Sequence, residues 1–432
     1  MINIYDIKEN IDFNLNDCLS GRIKLNYSKY QKIVDEILVD VKTNGDEALM
    51  KYTEKFDKVK IYENNLKVTE EEIEEAYRLC DDKLIKVIRK SKERIKVYHE
   101  KQKQNSWFDL EDEGSLMGQK ISPIEKVGIY VPGGKAVYPS SVLMNAVPAK
   151  VAGVEKIVMV TPPLKSGKID ALILIAANEA GVDEIYKVGG AQGVAALAYG
   201  TETVTKVHKI VGPGNIFVAL AKKIVYGEVG IDSIAGPSEI LVLADDTANE
   251  KYIAADLLSQ AEHDELASAV LITTSMDLAK KVKEQLIIQT ENLSRKEIIK
   301  NSLKDYGALI VVDDMDKAIE LSNEYAPEHL EVCTKDPFSL LPKIKNAGAI
   351  FLGDYSPEPL GDYMAGPNHV IPTCSTAKFF SALSVDDFIK KSSIISFNKD
   401  ALSNLKDDII TFATAEQLTA HANAVRVRFD ND

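Results

Sequence analysis

Residues 257–264 combine an amide, a carboxylate and an imidazole on one predicted helix. Gln260 and His263 are three residues apart and follow Leu257 on the same helical face. Because that face is otherwise apolar, it is predicted to be buried, so the two polar side chains would converge inside the protein. Such a pair suits a metal ion or a polar ligand. The alternative is a helix end whose last side chains hydrogen-bond nearby carbonyls.

Glu328 and His329 form a second polar pair, directly after Ala326-Pro327. The proline ends a predicted helix over residues 315–325 and places the pair in a connection. An imidazole that titrates near neutral pH and a carboxylate that activates water are the parts of general base catalysis. The alternative is a surface pair in a helix-to-strand loop.

Residues 351–369 form a long segment rich in glycine and proline that carries three carboxylates, Asp362 among them, and His369. Loops of this length in compact domains are functional or disordered, and the aromatic and apolar content argues against disorder. Together with the two pairs above, the segment supports a site assembled from distant parts of the chain. Its imidazole, carboxylate and amide groups suit a zinc-like ion, but these residues do not specify a reaction.

The four cysteines are Cys18, Cys80, Cys333 and Cys374, and no two of them form a Cys-x-x-Cys pair. This spacing argues against a disulfide framework and against a thiolate zinc site. Cys333 follows the Glu-His pair and is the one candidate nucleophile. Its apolar neighbours favour a buried strand residue instead.

Composition limits the classes of function. The chain has 432 residues, 45% hydrophobic and 27% charged, which is ordinary for a globular protein of two or more domains. The net charge of −14 gives no reason to expect nucleic acid or anionic lipid as a partner. Neither a signal peptide nor a membrane-spanning run is recognisable, so a cytoplasmic location is expected.

Strand-like and helix-like segments alternate through the middle of the chain, which predicts βαβ units and mostly parallel sheets. The first ~120 residues and the last sixty look helical, and Thr69 with Glu72 has the form of a capping box. Two doubly wound domains are expected. The predicted strands are 127–131, 156–160, 184–188, 207–211, 240–243, 269–273 and 308–312.

Glycine-rich turns follow several of these strands and mark the edge where parallel sheets bind ligands. None has the form Gly-x-Gly-x-x-Gly, so the loops alone do not establish a dinucleotide site. Tight structural turns are the alternative. The turns are Pro132-Gly133-Gly134, residues 189–193, residues 212–215 and Gly236-Pro237-Ser238.

Six short motifs occur in order along nearly the whole chain: Val131-Pro132-Gly133-Gly134, Gly236-Pro237-Ser238-Glu239, Gln260-Ala261-Glu262-His263-Asp264, Ala326-Pro327-Glu328-His329, Gly361-Asp362-Tyr363 with Gly366-Pro367-Asn368-His369, and Ala415-Glu416 with His421-Ala422-Asn423-Ala424-Val425. Together they closely resemble the motifs of the histidinol dehydrogenase family. The resemblance implies oxidation of L-histidinol through the aldehyde to L-histidine with two NAD. It also implies two Rossmann-like, aldehyde-dehydrogenase-like α/β domains with small helical terminal segments.

The resemblance also implies a role for each site residue. His329 would be the general base and Glu328 would activate water. One Zn2+ per subunit would be held by Gln260, His263, Asp362 and His421, the last from the second subunit of a homodimer. Substrate contacts would be Ser238, Gln260, His263, His329, Asp362, Glu416 and His421, and NAD contacts would be Tyr130, Gln192 and Asn215.

The expected domains are an N-terminal arm (1–21), a first α/β domain, a second α/β domain with the NAD loops, and a C-terminal helical segment (384–432) that reaches the partner. The first α/β domain combines 22–129 with 239–322, and the second combines 130–238 with 323–383. Two other functions use the same residues: a zinc-dependent hydrolase and a small-molecule binding protein. NAD binding would separate the dehydrogenase from the hydrolase, and tolerance of His329→Ala would indicate the binding protein.

Overall fold

The computed structural model describes residues 2–7, 28–111, 114–133, 137–234 and 236–430. Gly134, Cys18 and most of the predicted arm 1–21 lie outside the described residues. The chain divides into two compact units, and each is described by itself. The larger unit comprises Met1–Gln102 with Ile124–Phe388, and the smaller comprises Lys103–Pro123 with Ile389–Asp432.

Strands occur throughout the described residues. In chain order they are β1 (Asn3–Asp6), β2 (Trp107–Glu111), β3 (Ser115–Pro123), β4 (Lys126–Tyr130), β5 (Lys156–Val160), β6 (Glu184–Tyr186), β7 (Lys209–Val211), β8 (Gly230–Ile231), β9 (Glu239–Ala244), β10 (Ser268–Thr273), β11 (Gly307–Val311), β12 (His329–Cys333), β13 (Ala349–Leu352) and β14 (Ile389–Phe397).

Helices separate most of these strands. They are α1 (Ser28–Asp57), α2 (Glu63–Leu66), α3 (Glu70–Leu79), α4 (Asp82–Glu100), α5 (Pro139–Ala152), α6 (Ala171–Ala180), α7 (Gly190–Tyr199), α8 (Ile216–Val225), α9 (Glu250–Ala261), α10 (Met276–Thr290), α11 (Lys296–Tyr306), α12 (Met315–Tyr325), α13 (Pro337–Leu340), α14 (Glu358–Leu360), α15 (Lys399–Ala415) and α16 (Thr419–Arg426). A π-helical turn, Gly361–Ala365, follows α14 directly.

The larger unit contains two parallel sheets. Sheet I has the order β1-β11-β10-β9-β12-β13, and sheet II has the order β6-β5-β4-β7-β8. From β9 in sheet I and from β4 in sheet II, the strands first extend to one side of the sheet and then cross to the other, which is the doubly wound arrangement; β1 is added at the edge of sheet I. The prediction of two doubly wound, mostly parallel sheets is confirmed.

Apolar strands explain why both faces of these sheets are covered. In β9, Ile240 and Val242 belong to one core cluster, while Leu241 and Leu243 belong to the cluster on the opposite face. Successive residues of a strand point to opposite faces, so a strand that is apolar throughout needs a layer of helices on each side. Sheet II has the same arrangement, since Val158 and Met159 fall into different clusters.

The strand pairing differs from the predicted domain division. Residues 323–383 were grouped with 130–238, but β12 pairs with β9, and β13 pairs with β12, so both belong to sheet I. β4 was grouped mostly with the first domain, yet it is the central strand of sheet II. The crossover through α12 carries the chain to the other side of β9, and local sequence patterns do not reveal where a crossover ends.

Two segments predicted as helical contain strands. Asn3–Asp6 pairs in parallel with β11 at the edge of sheet I. In the smaller unit, β14, β3 and β2 form an antiparallel sheet, and α15 and α16 follow β14. The predicted capping box is confirmed, because Thr69 Oγ1 accepts from Glu72 N and Glu72 Oε2 accepts from Thr69 N. Among the helices that the structure describes, none is long and apolar enough to cross a membrane.

Candidate active site

His329 and Glu328 lie at the amino end of β12, beside the amino end of β9. His329 Nδ1 is 2.9 Å from the carbonyl oxygen of Glu239, and the Glu239 N–H donates to Glu328 Oε2 at 2.7 Å. A carbonyl oxygen only accepts, so Nδ1 carries the proton and Nε2 keeps its lone pair in the neutral ring. The backbone of β9 therefore selects the tautomer in which Nε2 is the base.

Burial sets the protonation of this pair. His329 is 5% exposed and Glu328 is 7% exposed. Burial lowers the pKa of His329 to about 4, although the negative charge of Asp362 opposes the shift. Burial also raises the pKa of Glu328 well above its ordinary value, with a further contribution from the nearby Glu239 carboxylate. The imidazole is thus neutral near pH 7, and the carboxylate is a stronger base than one on the surface.

Helix α9 brings the predicted amide and imidazole to the same edge of sheet I. The helix runs back from the carboxyl end of β9, so its last turn, with Gln260 and then His263, returns to the amino ends of the strands. Gln260 is 1% exposed, and its Oε1 has no hydrogen-bond partner within the described residues. Burial lowers the pKa of His263, which favours the neutral imidazole that metals bind.

Asp362 lies on the π-helical turn, and His369 lies next to it. Asp362 Oδ1 is 3.1 Å from His369 Nδ1. Burial raises the pKa of Asp362, but the imidazoles of His369, His329 and His263 outweigh burial and lower it to about 2. The carboxylate therefore stays charged. His369, whose role the sequence left open, contacts Asp362 directly.

Helix α4 holds this turn in place. Ser91 Oγ donates to the carbonyl of Tyr363 at 2.6 Å, and Arg94 donates to the carbonyl of Met364. A Cβ on Gly366 would lie 2.8 Å from the Arg94 carbonyl oxygen, so only glycine allows this close approach. The turn that carries Asp362 is fixed by a helix more than 260 residues earlier in the chain.

Glu358 belongs to the site but was not singled out from the sequence. Its carboxylate is 2% exposed, and Oε1 lies 3.7 Å from His329 Nε2. Ligand atoms of His263, Glu358 and Asp362 all lie within 4.8 Å of one another. Burial, followed by the charge of Asp362, raises the pKa of Glu358 to about 8. Its signal in the sequence was the proline on either side, which fixes the backbone of a carboxylate in a turn.

Two further carboxylates lie behind Glu358. Glu331 Oε1 accepts from the Glu358 N–H at 2.7 Å, and the carboxyl group of Glu331 hydrogen-bonds that of Asp256 on α9. Burial raises the pKa of Asp256 to about 6 and that of Glu331 well above its ordinary value. Asp256 is four residues before Gln260 and seven before His263, so the polar stripe of α9 is longer than predicted.

The residues at the amino edge of sheet I suit a divalent metal ion. An imidazole, a charged carboxylate and an unpartnered amide oxygen are ligands that zinc accepts, and Gln260 Oε1 is a buried acceptor that lacks a donor. Of the predicted ligands, His263 and Asp362 have ligand atoms within 4.8 Å of each other, together with Glu358. His421 and Glu416 lie in the smaller unit, exposed, on α16 and at the end of α15.

Ser238 precedes β9 at the same edge as His329. Ser268 N donates to its carbonyl at 2.9 Å, and the preceding Gly236 N–H donates to Thr373 Oγ1 at 2.6 Å. The sequence associated the Gly236-Pro237-Ser238 turn with the carboxyl end of a strand. The turn does follow β8 of sheet II, but it positions Ser238 at the amino edge of sheet I.

Tyr130, Gln192 and Asn215 occupy the carboxyl edge of sheet II. The Gly190 N–H donates to Tyr130 Oη at 3.0 Å, and Asn215 Oδ1 caps α8 by accepting from the N–H groups of Phe217 and Val218. Gln192 is 1% exposed, and its Oε1 has no partner among the described residues. This is the edge at which open parallel sheets bind nucleotides.

Two doubly wound sheets, one with a neutral buried histidine beside side chains that could hold a metal ion and one with an edge of the kind that binds nucleotides, fit the class of dinucleotide-dependent oxidoreductases. Residues 21–429 match the family model of histidinol dehydrogenase. The chain belongs to the histidinol dehydrogenase family and is an NAD-dependent oxidoreductase of histidine biosynthesis.

Several relatives support this assignment. The chain is 60% identical over 398 residues to the histidinol dehydrogenase of Clostridium acetobutylicum, with 92% of each chain covered. It is 55% identical over 432 residues to that of Caldanaerobacter subterraneus subsp. tengcongensis, with both chains covered fully. The crystal structure of histidinol dehydrogenase from Elizabethkingia anophelis superposes with a TM-score of 0.93 at 40% identity, covering 100% of this chain and 98% of that one.

Proposed function

We propose that the protein oxidises L-histidinol to L-histidinaldehyde and then to L-histidine, each step reducing one NAD to NADH. The observation that carries this proposal is the hydrogen bond between His329 Nδ1 and the Glu239 carbonyl, which leaves Nε2 as a fixed, buried base. The comparisons favour this reaction over a zinc hydrolase and over a binding protein.

In the first oxidation, His329 Nε2 takes the hydroxyl proton of the alcohol while the carbon-bound hydrogen leaves as hydride to NAD. Two electrons pass to the nicotinamide, and the alcohol becomes the aldehyde. The carbonyl of Glu239 holds Nδ1, so the ring cannot turn away from the substrate as it becomes charged. The carboxyl groups of Glu328 and Glu358 lie within 3.7 Å of the ring nitrogens.

In the second oxidation, Glu328 takes a proton from water as the water oxygen adds to the aldehyde. His329, which was protonated in the first oxidation, gives that proton to the aldehyde oxygen and is neutral again. The resulting hydrate gives its hydroxyl proton to His329 and a second hydride to NAD, which yields the carboxylate of L-histidine. A thiol route is not supported, because Cys333 is buried in β12 and burial raises the pKa of its thiol. A protonated thiol is a poor nucleophile.

A bound Zn2+ would supply a fixed positive charge that orients the imidazole and amine of the substrate. Gln260, His263 and Asp362 would hold it, together with His421 from the second subunit of a homodimer. Ser238 and Glu416 would contact the substrate. The charged state of Asp362 and the neutral state of His263 support this ligand set.

NAD would bind at the carboxyl edge of sheet II, where Tyr130, Gln192 and Asn215 lie. The unpartnered Gln192 Oε1 supports this assignment, because a buried acceptor without a donor is costly unless a ligand supplies one. We place the enzyme in the cytoplasm, where the other steps of amino-acid biosynthesis supply its substrate. The N-terminal arm (1–21) and the C-terminal helical segment (384–432) remain part of the proposal.

The decisive experiment is the yield of NADH per L-histidinol, measured by absorbance with zinc-loaded protein at limiting substrate. Two NADH per molecule are expected. One NADH would show that the reaction stops at the aldehyde, which would contradict the role of Glu328. If no NADH forms, the proposed function is contradicted, and a zinc-dependent hydrolase or a small-molecule binding protein becomes the better explanation.

A further inference from the structure

The carboxyl end of β5 lacks a residue that the fold leads one to expect. In doubly wound sheets that bind NAD, an acidic side chain near the end of the second strand hydrogen-bonds the adenosine ribose. β5 holds that position in sheet II, beside the central β4. The chain after β5 reads Thr161-Pro162-Pro163-Leu164, which contains no carboxylate. If a ribose binds at this edge, its acidic partner must come from another part of the chain.

Asp57, the last residue of α1, is half-buried, and one of its two carboxylate oxygens has no partner among the described residues. Its Oδ2 is inaccessible to solvent and has no hydrogen-bond partner among the described residues. Burial alone raises its pKa to about 6. A carboxylate in this condition destabilises the folded protein, and such groups are retained where a ligand completes their hydrogen bonds.

Contacts around Asp57 place it at the carboxyl edge of sheet II. Val59 packs in the same core cluster as Tyr130 and Val188. A Cβ on Gly167 would lie 3.7 Å from Val59 Cγ1, so the loop after β5 runs beside this segment. The negative charge of Asp57 also contributes to the raised pKa of Tyr130, after burial. Asp57 and Tyr130 therefore share one environment.

Pro162 joins this segment to the neighbouring loops. A Cβ on Gly133 would lie 2.7 Å from Pro162 Cγ, and a Cβ on Gly189 would lie 2.6 Å from Pro162 Cβ. Neither glycine has room for a side chain beside Pro162, so the loops after β4, β5 and β6 meet at this edge of sheet II.

Helix α1 is anchored to sheet II independently of any ligand. The Asp46 N–H donates to Glu202 Oε2 at 2.8 Å, and the Asp46 carboxylate accepts from the hydroxyls of Thr201 and Thr203. These residues follow α7, whose first turn carries Gln192. Asp46, eleven residues before Asp57, thus fixes α1 beside the carboxyl end of α7, the helix that carries one of the proposed NAD contacts in its first turn.

We propose that Asp57 accepts the hydroxyl groups of the adenosine ribose of NAD and makes the enzyme select NAD over NADP. The inference rests on the proposed NAD site at this edge of sheet II. Two adjacent ribose hydroxyls satisfy the two oxygens of a carboxylate. The 2′-phosphate of NADP is negatively charged and offers no such donors, so Asp57 repels it.

The test is the dissociation constant of NAD and of NADP for wild type and for Asp57→Asn, measured by titration calorimetry on the full-length protein. The amide keeps the size of the side chain but removes its charge and one acceptor. NAD is expected to bind about 10- to 100-fold more weakly to the variant. NADP affinity is expected to stay level or rise, so the preference for NAD shrinks.

Asp35→Asn is the matched control, because it removes the same charge from an exposed position of the same helix. It should leave both dissociation constants unchanged. Equal NAD affinity in wild type and Asp57→Asn would overturn the role of Asp57, as would an equal loss of NAD and NADP binding. Failure of the wild type to bind NAD would instead contradict the proposed function. A melting curve for each variant establishes that it is folded.

Discussion

His329 and Cys333 begin and end strand β12, but only His329 is held in its reactive protonation state. Both are buried, and burial affects their reactive forms in opposite ways. It keeps the imidazole of His329 neutral, which is the basic form, and it keeps the thiol of Cys333 protonated, which is the unreactive form. Replacing each of them by alanine tests whether the aldehyde is oxidised through a hydrate, which needs His329, or through a thiol adduct, which needs Cys333.

His329→Ala is expected to lower kcat by about 10²- to 10⁴-fold, the usual contribution of a positioned general base. Zinc content should not change, because the proposed ligands stay in place. Cys333→Ala should keep most of the activity. The measurements are steady-state kinetics and bound metal by atomic absorption. A loss in Cys333→Ala as large as that in His329→Ala would revive the thiol route.

Asp57→Asn should also change stability in a pH-dependent way. The pKa of Asp57 is raised from 3.8 to about 6 in the folded protein. Between these values the folded state holds more protons than the unfolded state, so its stability falls as pH rises from about 4 to about 6. Since part of the side chain is exposed, the loss is discounted to about 1–2 kcal/mol.

Asparagine does not titrate, so Asp57→Asn does not lose folding stability between pH 4 and pH 6 in this way. Its melting temperature relative to wild type should therefore rise between pH 4 and pH 6 and stay constant above, as measured by scanning fluorimetry without dinucleotide. A difference that does not vary with pH would mean that Asp57 titrates normally.

At the residue scale, the sequence revealed side chains that stand in conspicuous patterns. Gln260 and His263 were recognisable by their helical spacing, and Glu328 with His329 by the proline before them. Glu358 and Glu331 were not, because a single glutamate beside prolines or in an apolar strand resembles an ordinary exposed residue. Their importance depends on burial, and burial depends on contacts between segments far apart in the chain.

At the scale of elements, the strands and helices were largely predictable but their pairing was not. Apolar runs of four to six residues fixed β4, β5, β9 and β10 nearly to their observed bounds. β12 pairs with β9 across a connection of more than 80 residues, and no local pattern encodes that choice. The amino-edge position of His329 is a consequence of this pairing.

The loop that carries Asn215 depends on a buried ion pair within sheet II. Lys222 on α8 and Asp232 after β8 form an ion pair with side chains only 3% and 5% exposed. Lys222 Nζ donates to the Gly212 carbonyl at 2.9 Å, and the Gly212 N–H donates to Asp232 Oδ2 at 2.8 Å. Gly212 has φ +112°, and a Cβ there would lie 2.2 Å from the Tyr130 carbonyl oxygen. The ion pair holds the backbone of Gly212 from both sides. Because Gly212 is three residues before Asn215, the pair also positions the loop that carries Asn215.

Lys222→Met should lower the free energy of unfolding by about 3–5 kcal/mol, because it leaves a buried carboxylate unpaired. In protein that remains folded, KM for NAD should rise more than kcat falls. Urea unfolding and steady-state kinetics measure the two effects.

Lys206→Met is the control, since its partner Glu228 is similarly close but both side chains are more than 40% exposed. It should cost less than about 1 kcal/mol and leave KM unchanged. An equal change of kcat and KM in Lys222→Met would mean that the ion pair acts on the fold as a whole.

At the scale of the whole molecule, the proposal draws the site from two chains. Gln260, His263 and Asp362 lie in the larger unit, and Glu416 and His421 lie in the smaller. If His421 comes from the second subunit, then mixing inactive Asp362→Ala and His421→Ala chains creates dimers in which one site has both defects and the other has none.

Random exchange should restore about a quarter of wild-type activity, since half of the dimers are mixed and each has one intact site. Differently tagged chains show whether mixed dimers have formed. Mixed dimers without activity would mean that each chain supplies its own His421.

The strand Asn3–Asp6 bears on how the protein can be handled in the laboratory. It forms the edge of sheet I and occupies the hydrogen-bonding groups of β11, which is apolar and fully paired only because this strand is present. Cutting off the first seven residues would bare a hydrophobic strand edge, and such edges recruit other chains. A version shortened in this way is expected to aggregate during expression even though every proposed catalytic residue is retained.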